Sequence, residues 1–203
     1  MHDFRQICGQ KKHCNDEVLR NTIQLAVEIA REGREGRKIG TLFVISDAKE
    51  VMKRSRPLIL DPLYGHPEEK KKVFDPDMRE TVKELAQLDG AFVISGDGVV
   101  LSAARYINAS SRRIELPLGL GSRHVAAASI SRDTQAVAVV VSESSVVRIF
   151  DKGKLVTEII PEIWLFGSEY SKIHGPREEQ KVGGLRIVSA REKESSSLKT
   201  TIR

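Results

Sequence analysis

Hydrophobic residues recur at helical spacing in three stretches of the chain. The first stretch begins at Asn15 or Asp16, either of which can cap a helix, and it ends at Gly33. The second stretch begins at Asp77 and the third at Ser122. This pattern therefore predicts three helices.

Short apolar runs rich in β-branched residues predict the strands. Residues 41–46 form one such run, and residues 136–142 form a nearly continuous one that is typical of a central strand. Pairs of runs joined by short glycine-containing turns predict hairpins over 91–103 and 146–160. The expected fold is α/β (mixed α+β), with a central twisted mixed β-sheet flanked by helices.

Polar and irregular segments suggest a division of the chain into three parts. Residues 1–39 are predicted to be an N-terminal polar segment with a helix, and residues 40–170 the main domain. Residues 171–203 are predicted to be a polar, mobile C-terminal tail with one short strand at 185–188. Within the main domain, residues 53–76 carry four prolines and a charged run, which indicates a long loop or insertion.

Composition and charge narrow the classes of partner. The chain is 40% hydrophobic and 30% charged, as in an ordinary globular protein. Its net charge of +5 and pI near 9.2 permit an anionic partner. Aromatic residues make up only 5%, and they are not interleaved with lysine and arginine as in a platform for single-stranded nucleic acid. A solvated basic surface is therefore preferred over nucleic-acid binding.

The sequence also bears on location. No apolar run approaches the length that spans a bilayer, and the N-terminal residues lack the apolar stretch of a secretory signal. Two cysteines, Cys8 and Cys14, give no disulfide framework. We therefore expect a cytoplasmic protein without a membrane partner.

The segment Asp89-Gly90-Ala91 lies between the end of a predicted helix and the start of a predicted buried strand. A carboxylate at such a junction is held by rigid elements yet is open to a cleft. Gly90 lets a ligand or a neighbouring backbone come close. Taken alone, an Asp-Gly pair here is more often a turn than a catalytic site.

A second polar segment is the glycine loop at 119–121, which leads directly into the third predicted helix at Ser122, Arg123 and His124. Amides at a helix N-terminus carry partial positive charge and lack intrahelical partners. Glycines let phosphate oxygens reach these amides, and Ser122 and Arg123 add donors. The alternative is an ordinary serine cap beside a surface arginine. The segment matches neither a Walker A loop nor a GxGxxG fingerprint.

A third polar segment is the end of the predicted central strand at Ser142 and Glu143. Ser142 could donate a hydrogen bond to a phosphate, and Glu143 could help to hold a metal ion. The alternative is a hairpin end whose polar residues simply meet solvent.

Together the three segments resemble the diadenylate cyclase (DAC, or DisA N-terminal domain) family. That family is marked by an Asp-Gly-Ala motif, then Gly-Thr/Ser-Arg-His-Arg at a helix start, then a strand that ends in Ser-Glu. Here the motifs are Asp89-Gly90-Ala91, residues 121–125 and Ser142-Glu143. The resemblance covers about residues 40–160 and includes the flanking hairpin and the alanines after the histidine.

The resemblance implies a reaction and an assembly. Members of the family condense two ATP into cyclic di-AMP and two pyrophosphates, with Mg²⁺ or Mn²⁺. They do so as homo-oligomers in which two subunits, each with one ATP, face each other. By resemblance, the catalytic residues are Asp89, Arg123 and His124, the metal ligands are Asp89 and Glu143, and the substrate-binding residues are Gly90, Ala91, Leu116, Leu118, Gly121, Ser122 and Ser142.

The chain departs from the family pattern at Val125, where many members have a second basic residue. This departure leaves two interpretations open. The first is an active diadenylate cyclase in which Arg105, Arg112, Arg113 or Arg148 replaces the missing donor. The second is a catalytically weak nucleotide-binding regulatory module of the same fold.

Overall fold

The computed structural model describes residues 15–110, 114–161, 172–173, 175–182 and 185–191. Four α-helices and a 3₁₀ turn lie in this part of the chain. They are α1 (Asp16–Glu32), α2 (Ala48–Lys53), the 3₁₀ turn (Glu68–Lys70), α3 (Pro76–Leu85) and α4 (Ser122–Asp133).

Nine strands form a single sheet within the described residues. They are β1 (Thr41–Ile45), β2 (Ser55–Pro57), β3 (Ala91–Ile94), β4 (Val100–Ile107), β5 (Val137–Val141), β6 (Val147–Asp151), β7 (Lys154–Pro161), β8 (Arg177–Val182) and β9 (Leu185–Ala190). Their order across the sheet is β2-β4-β3-β1-β5-β6-β7-β9-β8. Strands β1 and β3 are parallel, and every other recorded neighbouring pair is antiparallel. The predicted mixed sheet is therefore confirmed, with β5 at its centre.

Helices cover both faces of the sheet. Alternate strand residues point to opposite faces, so each face forms its own buried cluster with the helices that cover it. Phe43 and Ile45 of β1 lie in one buried cluster with residues of α1 and α3. Leu42 and Val44 lie in a second cluster with residues of α4. The short strand β1 is buried along its whole length as a result.

The helix boundaries follow from capping. The side chain of Asn15 accepts a hydrogen bond of 2.8 Å from the backbone of Glu17, and α1 ends at Gly33, as predicted. Helix α3 begins at Pro76 rather than at Asp77, because Asp75 is its N-cap and proline suits the first helical turn.

The structure differs from the sequence prediction around residues 48–57 and 105–107. Helix α2 has six residues, too few for a helical period to be visible in the sequence, and β2 has three. Strand β4 continues to Ile107, past the end predicted for the hairpin, because β2 pairs with its last three residues. The pairing of β2 with β4 joins segments about 50 residues apart, as Ser55 opposite Ile107 shows.

The C-terminal segment also differs from the prediction. The predicted strand at 185–188 is confirmed as part of β9, which pairs with β7. Strand β8, however, lies where the sequence predicted a mobile tail. Its residues are exposed and, except for Val182, polar, so no apolar pattern marks it, and hydrogen bonds to β9 hold it in place.

The predicted division of the chain at 39/40 and 170/171 stays a prediction. Val18 and Ile29 of α1 lie in the same buried cluster as residues of the sheet. Residues 162–171 lie outside the described part of the chain. In that described part, no helix combines the length and the apolar character that crossing a membrane requires.

Candidate functional site

The three predicted segments meet at one edge of the sheet. Strand β5 runs antiparallel to β1, and β3 runs parallel to β1, so the end of β5 lies beside the starts of β1 and β3. Asp89 precedes β3, Glu143 follows β5, and Gly40 precedes β1. Helix α4 begins over the same edge and brings Arg123 to it.

Arg123 joins the segments through two ion pairs. Its Nη2 atom lies 3.1 Å from Oδ1 of Asp89, and its Nη1 atom lies 3.1 Å from Oε1 of Glu143. The side chain of Asp89 is 87% exposed and that of Glu143 is 68% exposed, so both carboxylates are open to a ligand. The site thus combines two accessible carboxylates and one guanidinium at a helix N-terminus.

Gly40 is a residue of this site that sequence reasoning missed. A Cβ atom at position 40 would lie 2.7 Å from Nη1 of Arg123 and 3.2 Å from Cγ of Glu143. A side chain at position 40 would therefore require the tip of Arg123 to shift from the position in which it reaches both carboxylates. The available signal in the sequence was a glycine directly before a buried strand.

Gly90 and Ala91 support Asp89 from within the sheet. Gly90 has φ +108°, and a Cβ there would lie 2.6 Å from the backbone carbon of Ala104. Ala91 is buried and pairs with Leu42 and Arg105 on its two sides. This close packing of β3 on β4 holds the Asp89 backbone in place.

Helix α4 begins at Ser122, as predicted, and its N-cap is Gly121, so Ser122 is not the serine cap of the alternative interpretation. The amides of His124 and Val125 donate hydrogen bonds of 3.0 and 3.3 Å to the carbonyl of Gly121. The amides of Ser122 and Arg123 lie earlier in the helix, where no preceding turn offers them a carbonyl acceptor. Ser122 and Gly121 are exposed, so the positive end of α4 is accessible to an anion.

His124 faces the interior rather than the two carboxylates. Its side chain is buried, Nε2 lies 3.3 Å from Nη1 of Arg148, and the ring packs edge-on against Phe150. Burial, and secondly the charge of Arg148, lower the pKa of His124 to about 4. The ring is therefore neutral at physiological pH.

The remaining predicted residues lie around the site. Ser142 bonds to Ser144 across the turn after β5, with 2.8 Å between the hydroxyl oxygens. Leu116 is half-buried against the cluster under α4, whereas Leu118 is 92% exposed.

The arginines proposed to replace a basic residue at Val125 have other partners. Arg148 bonds to Glu158 and contacts His124, and Arg105 bonds to Ser55. Both side chains are buried. Arg112 and Arg113 lie outside the described residues.

Asp89 and Glu143 are the groups at this edge that fit a hard divalent cation. Carboxylate oxygens are the ligands that Mg²⁺ prefers, and it commonly takes only one or two of them beside water and substrate phosphates. Within the described residues, no three histidine, cysteine, aspartate or glutamate side chains could hold a metal ion together. Fold and site define a mixed α/β protein with an accessible helix N-terminus beside two exposed carboxylates.

Comparison with known families agrees with this class. The DAC family model, described as DisA bacterial checkpoint controller nucleotide-binding, matches residues 28–155, more than half of the chain. The chain belongs to this family.

Two curated proteins named diadenylate cyclase are similar in sequence. The protein of Methanocaldococcus jannaschii is 49% identical over 145 residues, which cover 71% of this chain and 46% of that protein. The protein of Haloferax volcanii is 43% identical over 150 residues, which cover 72% of this chain and 54% of that protein. The chain therefore spans about half the length of the curated relatives it matches.

Two solved structures are more distant. A hypothetical membrane spanning protein from Bacillus cereus has a TM-score of 0.49 and 19% identity, over 70% of this chain and 63% of that one. A double mutant of DacA from Staphylococcus aureus has a TM-score of 0.44 and 24% identity, over 69% of this chain and 85% of that one.

Proposed function

We propose that this chain is a diadenylate cyclase that condenses two ATP into cyclic di-AMP and releases two pyrophosphates. The observation that carries the proposal is the double ion pair of Arg123 with Asp89 and Glu143 at the start of α4. These ion pairs bring together one residue from each of the three motifs of the family to which the chain belongs. The names of the two curated relatives support the same reaction.

The reaction consists of two equivalent displacements. In each, the 3′-oxygen of one ATP forms a bond to the α-phosphorus of the other, and the bond from that phosphorus to the bridging oxygen breaks. Pyrophosphate takes the bonding electrons, and the 3′-hydroxyl gives up its proton. Positioning and neutralisation of charge supply most of the catalysis for such a transfer.

Each residue of the site has a separate role in this proposed reaction. Asp89 is exposed and accepts the proton of the 3′-hydroxyl. Arg123 and the first amides of α4 hold the triphosphate and stabilise the charge on the departing pyrophosphate. Asp89 and Glu143 would hold Mg²⁺ or Mn²⁺, which supplies positive charge to the phosphate oxygens when bound.

Two copies of the chain must meet for the ring to close. One site that holds one ATP supplies one nucleophile and one phosphorus, whereas the product needs two of each. We therefore extend the proposal to a cytoplasmic homo-oligomer whose subunits place their sites face to face. No nucleic-acid or membrane partner is part of it.

The test is incubation of the purified chain with ATP and Mn²⁺ or Mg²⁺, followed by mass analysis for cyclic di-AMP. Wild-type protein is expected to form the dinucleotide and pyrophosphate in a 1:2 ratio. Asp89→Asn is expected to lower kcat by about 10²-fold or more, because it removes the base and keeps the shape. Asp97→Asn, at an exposed carboxylate in the β3–β4 turn, is the matched control and is expected to keep full activity. A folded wild-type protein that forms no product with either metal contradicts the proposal.

The second candidate is a nucleotide-binding regulatory module of the same fold. Val125 favours it, because the buried Arg105 and Arg148 have internal partners and do not supply the missing basic group. This alternative predicts that calorimetry detects binding of ATP or cyclic di-AMP in a protein that forms no product. Measurable turnover that is lost in Asp89→Asn excludes it.

A further inference from the structure

A buried chain of polar side chains runs from α4 into the sheet. Glu158 of β7 is 0% exposed, and its Oε1 accepts a hydrogen bond of 2.7 Å from Nε of Arg148 on β6. Its Oε2 accepts a hydrogen bond of 2.6 Å from the amide of Lys172. The side chain of Arg148 is only 10% exposed, and its Nη1 lies 3.3 Å from Nε2 of His124. Glu158 thus orients Arg148, and Arg148 faces His124.

The donors and acceptors in this buried network determine which nitrogen of the His124 ring carries the proton. A guanidinium has only N–H donors and stays charged, so it cannot accept a hydrogen bond from Nε2. The Nε2 atom must therefore present its lone pair to Arg148. A neutral imidazole with a lone pair on Nε2 carries its proton on Nδ1.

The Nδ1 atom has a different environment. It is buried and makes no hydrogen bond of ordinary geometry among the described residues. The backbone of Gly121 lies close enough to the ring to act as a weak partner, which raises the pKa of His124. The charged groups around the ring are Arg148 on β6, Glu158 on β7 and Arg123 on α4 itself. Two of these three groups are cations, so a third positive charge on the ring is disfavoured.

We propose that Arg148 is a positioning residue that holds His124 as the neutral Nδ1–H tautomer beneath the first turn of α4. In this state Nδ1 offers a hydrogen-bond donor, and the lone pair of the basic Nε2 atom is engaged by Arg148. The inference rests on the proposed function in one respect: with the lone pair of Nε2 held by Arg148, Asp89 is left as the proton acceptor for the 3′-hydroxyl. It also explains why Arg148 is absent from the phosphate site.

The tautomer is measurable without any turnover. In protein labelled with ¹⁵N-histidine, two-bond proton–nitrogen correlation distinguishes the ring nitrogens, because Nε2 couples strongly to both ring protons. The chain has five histidines, and the signals lost in His124→Asn identify the relevant ring. Between pH 6 and 8 (roughly the range in which histidine titrates), Nε2 of wild type is expected to give an unprotonated signal and Nδ1 a protonated one.

A matched pair of variants tests the role of Arg148. Glu158→Gln keeps the arginine and one oxygen acceptor, which can accept from Nε of Arg148 but then no longer accepts from the amide of Lys172. Because Arg148 still faces the ring, the Nδ1–H tautomer is expected to persist. The double variant combines Glu158→Gln with Arg148→Met. It removes the arginine that donates to Nε2 of His124 without leaving a buried carboxylate unpaired. In it, the Nε2–H tautomer is expected to become the main form. Loss of the Arg148 charge is expected to raise the pKa of His124 relative to Glu158→Gln, while burial of the ring keeps it below its usual value.

Two results would overturn the inference. One is an Nε2–H or doubly protonated ring in wild type at pH 7, which decides the matter even if the double variant fails to fold. The other is a folded double variant whose His124 signals match those of Glu158→Gln. Absence of cyclic di-AMP would overturn the proposed function but leave these spectra unchanged, so the two failures are distinguishable.

Discussion

Arg123 illustrates, at the scale of one residue, how little a functional contact needs to contribute to stability. Its two ion pairs involve carboxylates that are mostly exposed, and such pairs are each worth about 0.2–1 kcal/mol. Their main effect is on position, since one cation holds two like charges at the same edge. A ligand with its own charges can therefore rearrange them at little cost.

Gly90 is a residue whose substitution should affect stability strongly. Its φ of +108° disfavours any side chain, and a Cβ would lie 2.6 Å from the Ala104 carbon and 2.7 Å from the Arg105 nitrogen. We expect Gly90→Ala to lower the free energy of unfolding by about 2–4 kcal/mol. Urea denaturation of the purified variant measures this difference.

Gly65 provides the control for Gly90. It also has a positive φ, +79°, but a Cβ there would meet nothing within 4 Å. Gly65→Ala should therefore cost only the backbone strain, about 1 kcal/mol. Equal losses in the two variants would show that the approach of β4 to Gly90 is not what requires glycine.

At the scale of elements, the segment from β2 to the 3₁₀ turn covers the outer edge of β4. The amide of Leu58 donates a hydrogen bond of 2.9 Å to the carbonyl of Ala104. The amide of Val100 donates one of 2.8 Å to the carbonyl of Lys71, directly after the 3₁₀ turn. This cover satisfies backbone groups that an open edge strand would leave exposed. The predicted insertion is thus joined to the sheet rather than being a free loop.

Asp61 is the side chain that fastens this segment to β4. Its carboxylate accepts hydrogen bonds from the amides of Leu63 and Ala103, at 3.0 and 3.3 Å, and from the hydroxyl of Ser102. Asp61→Ala should destabilise the fold by about 1–3 kcal/mol, because it leaves these donors without their acceptor. Hydrogen exchange should show faster exchange at Leu58, Leu63 and Ala103.

The control for Asp61 is Glu69→Ala in the exposed 3₁₀ turn of the same segment. It removes a carboxylate of similar charge and should leave exchange at those three amides unchanged. Unaltered exchange in Asp61→Ala itself would mean that the backbone pairings alone hold the segment.

At the scale of the whole molecule, the proposed reaction depends on encounter between copies. If two subunits must meet, the rate per mole of protein rises with protein concentration until the pairs are fully formed. In the dilute regime each doubling of concentration should roughly double that rate. The measurement is initial rate at saturating ATP over a dilution series, with oligomeric state followed by sedimentation. A constant specific rate in a range where sedimentation shows only monomer contradicts the pairing.

Much of the architecture could be predicted from local patterns. Helices α1, α3 and α4, strand β1, the central strand β5 and the hairpins β3–β4 and β6–β7 correspond to apolar periodicity, caps and turn residues. Strands β2 and β8 could not be predicted this way. The first is too short, and it exists because β4, about 50 residues further along the chain, offers it hydrogen bonds. The second is too polar, and it is held by its neighbour β9, which is itself paired with β7.

For the candidate site, the sequence by itself determined which chemical groups are present. It placed a carboxylate before one strand, a carboxylate after another and an arginine at a helix start, and their order led to the family. Only the tertiary structure decided which of them meet. The antiparallel pairing of β5 with β1 brings Glu143 to the edge where Asp89 and Arg123 lie, and burial beside Arg148 turns His124 inward. The physical reason is that sheet register and burial depend on contacts between residues far apart in the chain, which no local pattern records.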